Sequence, residues 1–218
     1  MLVLALDTAT PASTATLVEV TADGLRGVAE RRTVDPRAHG EKLAPEIAAT
    51  LAEAGVRPAD LTAIVAGTGP GPYTGLRVGL ATAVSMAQAL GIPAYGVCSL
   101  DGLGRAAGPG RVLVATDARR REVYWATYVD GVRSSGPEVS KPAEVTGDYE
   151  RVAGEGGLKY ADTFGVPVEE HLLYPPGAAL VALAAERIRE AAPSEPLTPL
   201  YLRRPDAVEP AGRKPVLT

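Results

Sequence analysis

Apolar residues alternate in short runs over the first third of the chain and then recur at helical spacing. Leu2 to Leu6 is a short apolar run closed by Asp7-Thr8-Ala9-Thr10-Pro11, a cluster of turn formers. Ser13 to Val20 alternates and reads as a second strand, and Thr21-Ala22-Asp23-Gly24 turns it into a third, Leu25 to Arg32. From Gly40 to Ala54 the period becomes helical. Leu43, Ile47 and Leu51 share one face, Ala44, Ala48 and Ala52 a neighbouring one, and Gly55 ends the helix. Leu61 to Ala66 is a buried strand, and the loop Gly67 to Gly75 leads into a second helix that stops at Gly91. Pro93 to Val97 is a further strand.

After Ser99 the pattern restarts with a helix to about Ala107 and strands at Arg111 to Thr116 and Glu122 to Val129, the last ending in a hairpin at Asp130-Gly131. The stretch from about Ser134 to Pro176 reads as loop-rich. Ala178 to Ala191 is a helix with Leu180, Leu183, Ala184 and Ile188 expected inward. The tail from Pro193 is rich in proline and basic residues. Three strands, a helix, a strand and a helix form the opening of an actin-like (ribonuclease-H-like, ASKHA) half domain. The expected fold is therefore α/β and two-lobed with mixed central sheets, divided into residues 1–100 and a truncated second half at 101–218.

Composition narrows the functional classes. Apolar residues make up 46% and charged residues 22% of the 218 positions, an ordinary globular balance. Aromatics are 5% and the net charge is −4, so neither stacking platforms nor a basic surface favours strong nucleic-acid binding by this chain alone. The single cysteine, Cys98, sits in an apolar run and reads as a buried, inert thiol; it excludes an internal disulfide and a Cys-rich zinc site. No run approaches the ~18 apolar residues of a membrane span. The N-terminus lacks a basic region and reads as a strand, not a signal peptide, which gives an expectation of a cytoplasmic protein.

Three segments carry candidate chemistry. Asp7, Thr8 and Thr10 follow the first strand, where actin-like ATPases and sugar kinases place a phosphate- and metal-binding turn; Ala9 stands where such turns need glycine. The other reading is a turn closed by side-chain to backbone bonds. Gly67 to Gly75 is a glycine loop before a helix, either an anion cradle or a rigid connection held by Pro70 and Pro72, and it lacks the closing Lys of a Walker loop. His39-Gly40-Glu41-Lys42-Leu43 has the outline of a helical metal site, but its i+4 position is Leu43 and the only other histidine is the distant His171. One imidazole cannot hold a metal, so no metal or other cofactor is expected, and His39 reads as a residue near the helix start bonded to backbone or solvent. No Gly-x-Ser-x-Gly elbow is present, and Cys98 has no histidine nearby in sequence.

Taken together, Leu4 to Thr10, the His39-x-Glu41-x-Leu43-x-Pro45 stretch and the run Gly69-Pro70-Gly71-Pro72-Tyr73-Thr74-Gly75-Leu76-Arg77-Val78-Gly79 resemble the TsaB family. Asp117-Ala118-Arg119 followed by Glu122-Val123-Tyr124, and Pro199-Leu200-Tyr201-Leu202-Arg203, are similar to it too. The resemblance implies an actin-like, non-catalytic subunit of the machinery that forms threonylcarbamoyladenosine in tRNA. It implies a heterodimer with the catalytic relative TsaD, an ATPase partner TsaE, self-association as a homodimer, and contact with tRNA only through the complex. By the same resemblance, Leu43 stands where TsaD is expected to have its second metal histidine. The competing expectations are an active actin-like ATPase or kinase, and a metallopeptidase of the glycoprotease type.

The resemblance also implies a partner contact made by the two helices of the first half. Gly75, Gly79, Ala83 and Ala87 recur every four residues on the second helix, and Ala44, Ala48 and Ala52 do so on the first. These small-residue stripes are the expected partner interface, with packing on the chain's own sheet as the other reading. Arg119, Arg120, Arg121, Arg203, Arg204, Arg213 and Lys214 are basic groups for RNA, for a partner, or for plain solvation.

Overall fold

A computed structural model of the chain describes residues 1–203. Strands β1 (Leu2–Asp7), β2 (Ala12–Val20) and β3 (Leu25–Val34) form an antiparallel meander. Helix α1 (His39–Glu53) leads to β4 (Ala63–Gly67), which pairs parallel to β1; helix α2 (Tyr73–Leu90) leads to β5 (Ala94–Val97), parallel to β4. The sheet order β3-β2-β1-β4-β5 is the mixed sheet of an actin-like lobe. Both faces are covered, and this accounts for the nearly continuous apolar runs. Leu4, Leu6, Leu17, Ile64 and Ala66 meet α1 and α2 on one side. Val3, Ala5, Val18, Val20 and Val65 turn to the other side, where a late helix covers them.

Helix α3 (Ser99–Ala107) opens the second lobe, followed by β6 (Arg111–Asp117), β7 (Val123–Val129) and β8 (Val132–Ser140). A short β9 (Arg151–Ala153) pairs parallel to β6, giving the order β8-β7-β6-β9. Small helices α4 (Glu155–Lys159) and α5 (Ala161–Phe164) lie in the segment read as loop, and α6 (Gly177–Arg189) follows. Helix α6 packs Leu180, Val181, Ala184 and Ile188 onto the first sheet. The expected division near residue 100 is thus crossed at the far end, because the second half returns a helix to the first lobe. The chain after α6 runs along the β5 edge, with the Glu195 amide donating to Ala94 O at 3.0 Å and the Leu200 amide to Thr68 O at 2.8 Å.

Two sequence expectations are corrected. Leu183 is 37% exposed rather than inward, since the buried stripe of α6 passes through Val181, Ala184 and Ala185. Strand β8, Val-Arg-Ser-Ser-Gly-Pro-Glu-Val-Ser, lies within the loop-rich stretch; it is a sheet edge, mostly exposed, and carries Gly136-Pro137, so it lacks the apolar alternation of a paired strand. Among the described residues no helix is long and apolar enough to cross a membrane.

Candidate functional site

The turn after β1 is fully buried and its polar groups are occupied. Asp7 accepts the Ala9 amide at 3.0 Å through Oδ1 and the Ser99 hydroxyl at 2.6 Å through Oδ2. Burial pushes its carboxyl up to about 6 despite these bonds. Thr10 accepts the Ala12 amide at 3.3 Å. These are the side-chain to backbone bonds of a closed turn. The glycine loop lies directly upon it: a Cβ at Gly67 would overlap Asp7 Oδ2, and one at Gly71 would overlap Ala9 O. Glycine at these two positions lets the loop backbone pack directly against the turn.

Thr8 points the other way, into α2. Its hydroxyl donates to Gly75 O at 2.7 Å and accepts the Gly79 amide at 3.1 Å, so it bridges an i, i+4 pair of the helix ladder. Gly75, Gly79, Ala83 and Ala87 are all buried. The small-residue stripe of α2 therefore faces this chain's own sheet and receives the Thr8 side chain; it is not on the outward surface. The exposed face of α2 is instead formed by Arg77, Ala81, Val84, Ser85 and Gln88. Ala44, Ala48 and Ala52 of the neighbouring α1 are exposed.

His39 begins α1 and is 7% exposed. Its Nδ1 bonds Ser13 Oγ at 2.8 Å, a hydroxyl partner in place of the expected backbone or solvent. Burial lowers its pKa, which favours the neutral ring, although Asp35 opposes the shift. Leu43, one turn later, is 1% exposed in the core beneath α1. Among the described residues no group of three potential ligands is placed to hold a metal. His171 is exposed and lies 3.5 Å from a Glu169 carboxylate oxygen.

Between the lobes lies a cleft of about 600 Å³. One wall comes from Thr10, His39 and the start of α2; the other comes from Asp117, Arg119 and Tyr124, with Tyr201 and Arg203 closing one end. The opposite wall has an unusual backbone, with Arg119, Arg120 and Arg121 all in the left-handed region at φ 60°, 52° and 63°. Each costs about 1–2 kcal/mol without glycine, and the surroundings hold them in place. The Ala118 amide donates to Glu122 O at 2.9 Å, Arg203 pairs with the Glu122 carboxylate, and the Arg203 guanidinium donates to Ala118 O at 3.1 Å. Glu155 accepts the Asp117 amide at 3.0 Å, and Lys159 pairs with the Asp117 carboxylate at 3.0 Å. Arg204, Arg213 and Lys214 lie outside the described residues. Ser13, Ser99 and Glu155 are polar anchors that no local motif announces; their partners are 26, 92 and 38 residues away in sequence.

Two mixed sheets, the first in the order β3-β2-β1-β4-β5 with helices on both faces, define the class: an actin-like α/β protein. A family model described as tRNA N6-adenosine threonylcarbamoyltransferase, TsaD, matches residues 29–191. An uncharacterized protein of Mycobacterium tuberculosis is 51% identical over 205 residues, covering 94% of this chain and 93% of that one. The tRNA threonylcarbamoyladenosine biosynthesis protein TsaB of Escherichia coli is 38% identical over 132 residues, 59% of this chain and 55% of that one. The structure of YeaZ from Pseudomonas aeruginosa superposes with a TM-score of 0.76 at 30% identity, covering 92% of this chain and 99% of that one. The chain belongs to this family, and within it to the TsaB (YeaZ) group.

Proposed function

We propose that this chain is a non-catalytic, cytoplasmic subunit in the formation of threonylcarbamoyladenosine in tRNA. It docks on a TsaD-type catalytic chain, works beside a TsaE-type ATPase, and meets tRNA only through the complex. The observation that carries the non-catalytic part is Leu43, which occupies the core where a metal-binding helix would present its second histidine. The filled Asp7 turn supports the same reading.

The docking surface is the paired outer face of α1 and α2. Ala44, Ala48 and Ala52 of α1 and Ala81 and Val84 of α2 are exposed, and such small side chains let a second helix pair approach closely. A related chain with the same fold can present the same two helices, so a homodimer and a heterodimer compete for one surface. Reconstitution with a TsaD-type and a TsaE-type protein, scored for modified tRNA, tests the function. Ala48→Arg and Val84→Arg place a charge at that contact and should abolish both dimerisation and stimulation while leaving the thermal melt unchanged. Modification at the full rate with either variant, or in the absence of the chain, sinks the proposal.

A further inference from the structure

Residues 193–203, after α6, adopt neither helix nor strand, yet they touch both lobes. Their first part is fixed to β5. The Ala94 amide donates to Ser194 Oγ at 3.1 Å, and the Glu195 carboxylate takes the Arg187 guanidinium through both oxygens at 2.8 and 2.7 Å. Arg187 also lies over the Tyr95 ring, whose hydroxyl donates to Ala192 O at 2.7 Å. Leu197 packs against the first-lobe core.

From Tyr201 the same segment changes sides. Tyr201 stacks on Tyr73 of α2 at 5.2 Å, with both residues about half exposed. Leu202 packs against the second-lobe cluster that holds Ala118 and Tyr124, and Arg203 grips the β6–β7 turn through Ala118 O and the Glu122 carboxylate. Ala118, Tyr124, Tyr201 and Arg203 all line the cleft, whereas the covalent links between the lobes, at Cys98 and at 174–176, do not. The segment thus ties the lobes across one end of the cleft, away from the links that a hinge would use. Its two parts are unequal. The first combines backbone bonds, a bidentate charge pair and an apolar anchor; the second relies on an open ring stack and one partly exposed ion pair, the weaker kind of contact.

We propose that residues 201–203 are a releasable clasp. Leu202 and Arg203 leave the second lobe together while residues 193–200 stay on β5, and release uncovers the cleft wall at Ala118 and Tyr124. The clasp governs access to the cleft from that end and does not depend on the docking face of α1 and α2.

Alkylation of the full chain by iodoacetamide, read site by site from peptide masses, tests it with three single reporters: Leu202→Cys, Ala118→Cys and Leu197→Cys. Each buried thiol reacts in proportion to the time it spends uncovered. Adding Arg203→Ala, or Glu122→Gln from the opposite side of the same ion pair, should speed labelling at 202 and 118 by roughly two- to fivefold, the range that one partly exposed ion pair can hold. The two sites should accelerate by the same factor, position 197 should not change, and the thermal melts should hold. Raising NaCl to about 1 M should act on the reporters alone in the same direction, because it screens the pair. Three results overturn the proposal: no acceleration at 202 and 118, acceleration at 202 alone, which is local fraying, or equal acceleration at 197, which is loss of the whole segment from β5.

Discussion

Gly79→Ala tests the packing of α2 directly, because general helix propensity and this structure give opposite signs. Gly to Ala inside a helix is worth about 1 kcal/mol in favour of alanine. At Gly79, however, the new Cβ would overlap Thr8 Oγ1. Overpacking a well-filled core costs about 1–3 kcal/mol, and displacing Thr8 also removes the bond from the Gly79 amide at 3.1 Å, a further loss of about 1 kcal/mol. The net is a destabilisation of roughly 1–3 kcal/mol, a fall in Tm of about 2–4 °C for each kcal/mol at this chain length. Gly40→Ala is the control. It lies in the first turn of α1, and nothing stands within 4 Å of its added Cβ, so it should hold or raise the Tm. The mechanism predicts coupling as well: Thr8→Ala opens the space that the added methyl needs, so the double variant should lose at least about 1 kcal/mol less than the sum of the singles. Thermal and urea melts of the four proteins decide it. A Gly79→Ala chain as stable as the parent, or strict additivity with Thr8→Ala, refutes the account of why α2 carries glycine here.

Two buried carboxyls predict a pH dependence: Asp7 is pushed from 3.8 to about 6, and Glu155 from 4.5 to about 7, both chiefly by burial. A folded-state pKa above the unfolded value means the folded protein binds the proton more tightly, so this stabilisation is complete below about pH 4 and is lost as pH rises through 6 to 7. Asp7→Asn with Glu155→Gln should flatten the urea midpoint between pH 5 and pH 7.5, and an unchanged slope would assign it to other groups. Cys98 is half-buried, and burial with the nearby Asp101 pushes its thiol up to about 11, so alkylation by iodoacetamide at pH 7.5 should be far slower than for a free thiol. Rapid labelling of native protein would show an opening of the β5–α3 junction that the packing does not suggest.

The first lobe was legible because each element is defined by its own local pattern. Leu2 to Leu6, the Thr21–Gly24 turn and the Leu43-Ile47-Leu51 spacing each specify strand, hairpin or helix without distant help. The spacing of Gly75, Gly79, Ala83 and Ala87 was equally plain, but its direction was not. A stripe of small residues permits close approach and does not say to what; the deciding contact, Thr8, lies 67 residues before Gly75. Strand β8 escaped for the opposite reason, since an exposed edge with Gly136-Pro137 has no apolar face to reveal it. The cleft was legible only in pieces. Asp117-Ala118-Arg119 and Pro199-Leu200-Tyr201-Leu202-Arg203 stood out as family runs, and only folding shows them to be one wall, joined where Arg203 meets Glu122 and Ala118.

The same residues that make the fold recognisable also close the turn after β1 on itself. An actin-like nucleotide turn needs an exposed carboxylate and a backbone that phosphate can approach. Here Ser99 and the Ala9 amide take both oxygens of Asp7, Gly71 lies on Ala9, and Thr8 is inserted into α2. Opening that turn would break the Ser99 contact and disturb the helix whose outer face is proposed to dock. The inner face of α2 is therefore committed to holding Thr8 and its own sheet, and that rigidity leaves the outer face a fixed surface. A docking helix gains from such preorganisation, since little ordering remains to be done when a partner arrives. The filled turn and the proposed contact are two sides of one helix, and the glycines at 75 and 79 are what let the Thr8 side chain reach it.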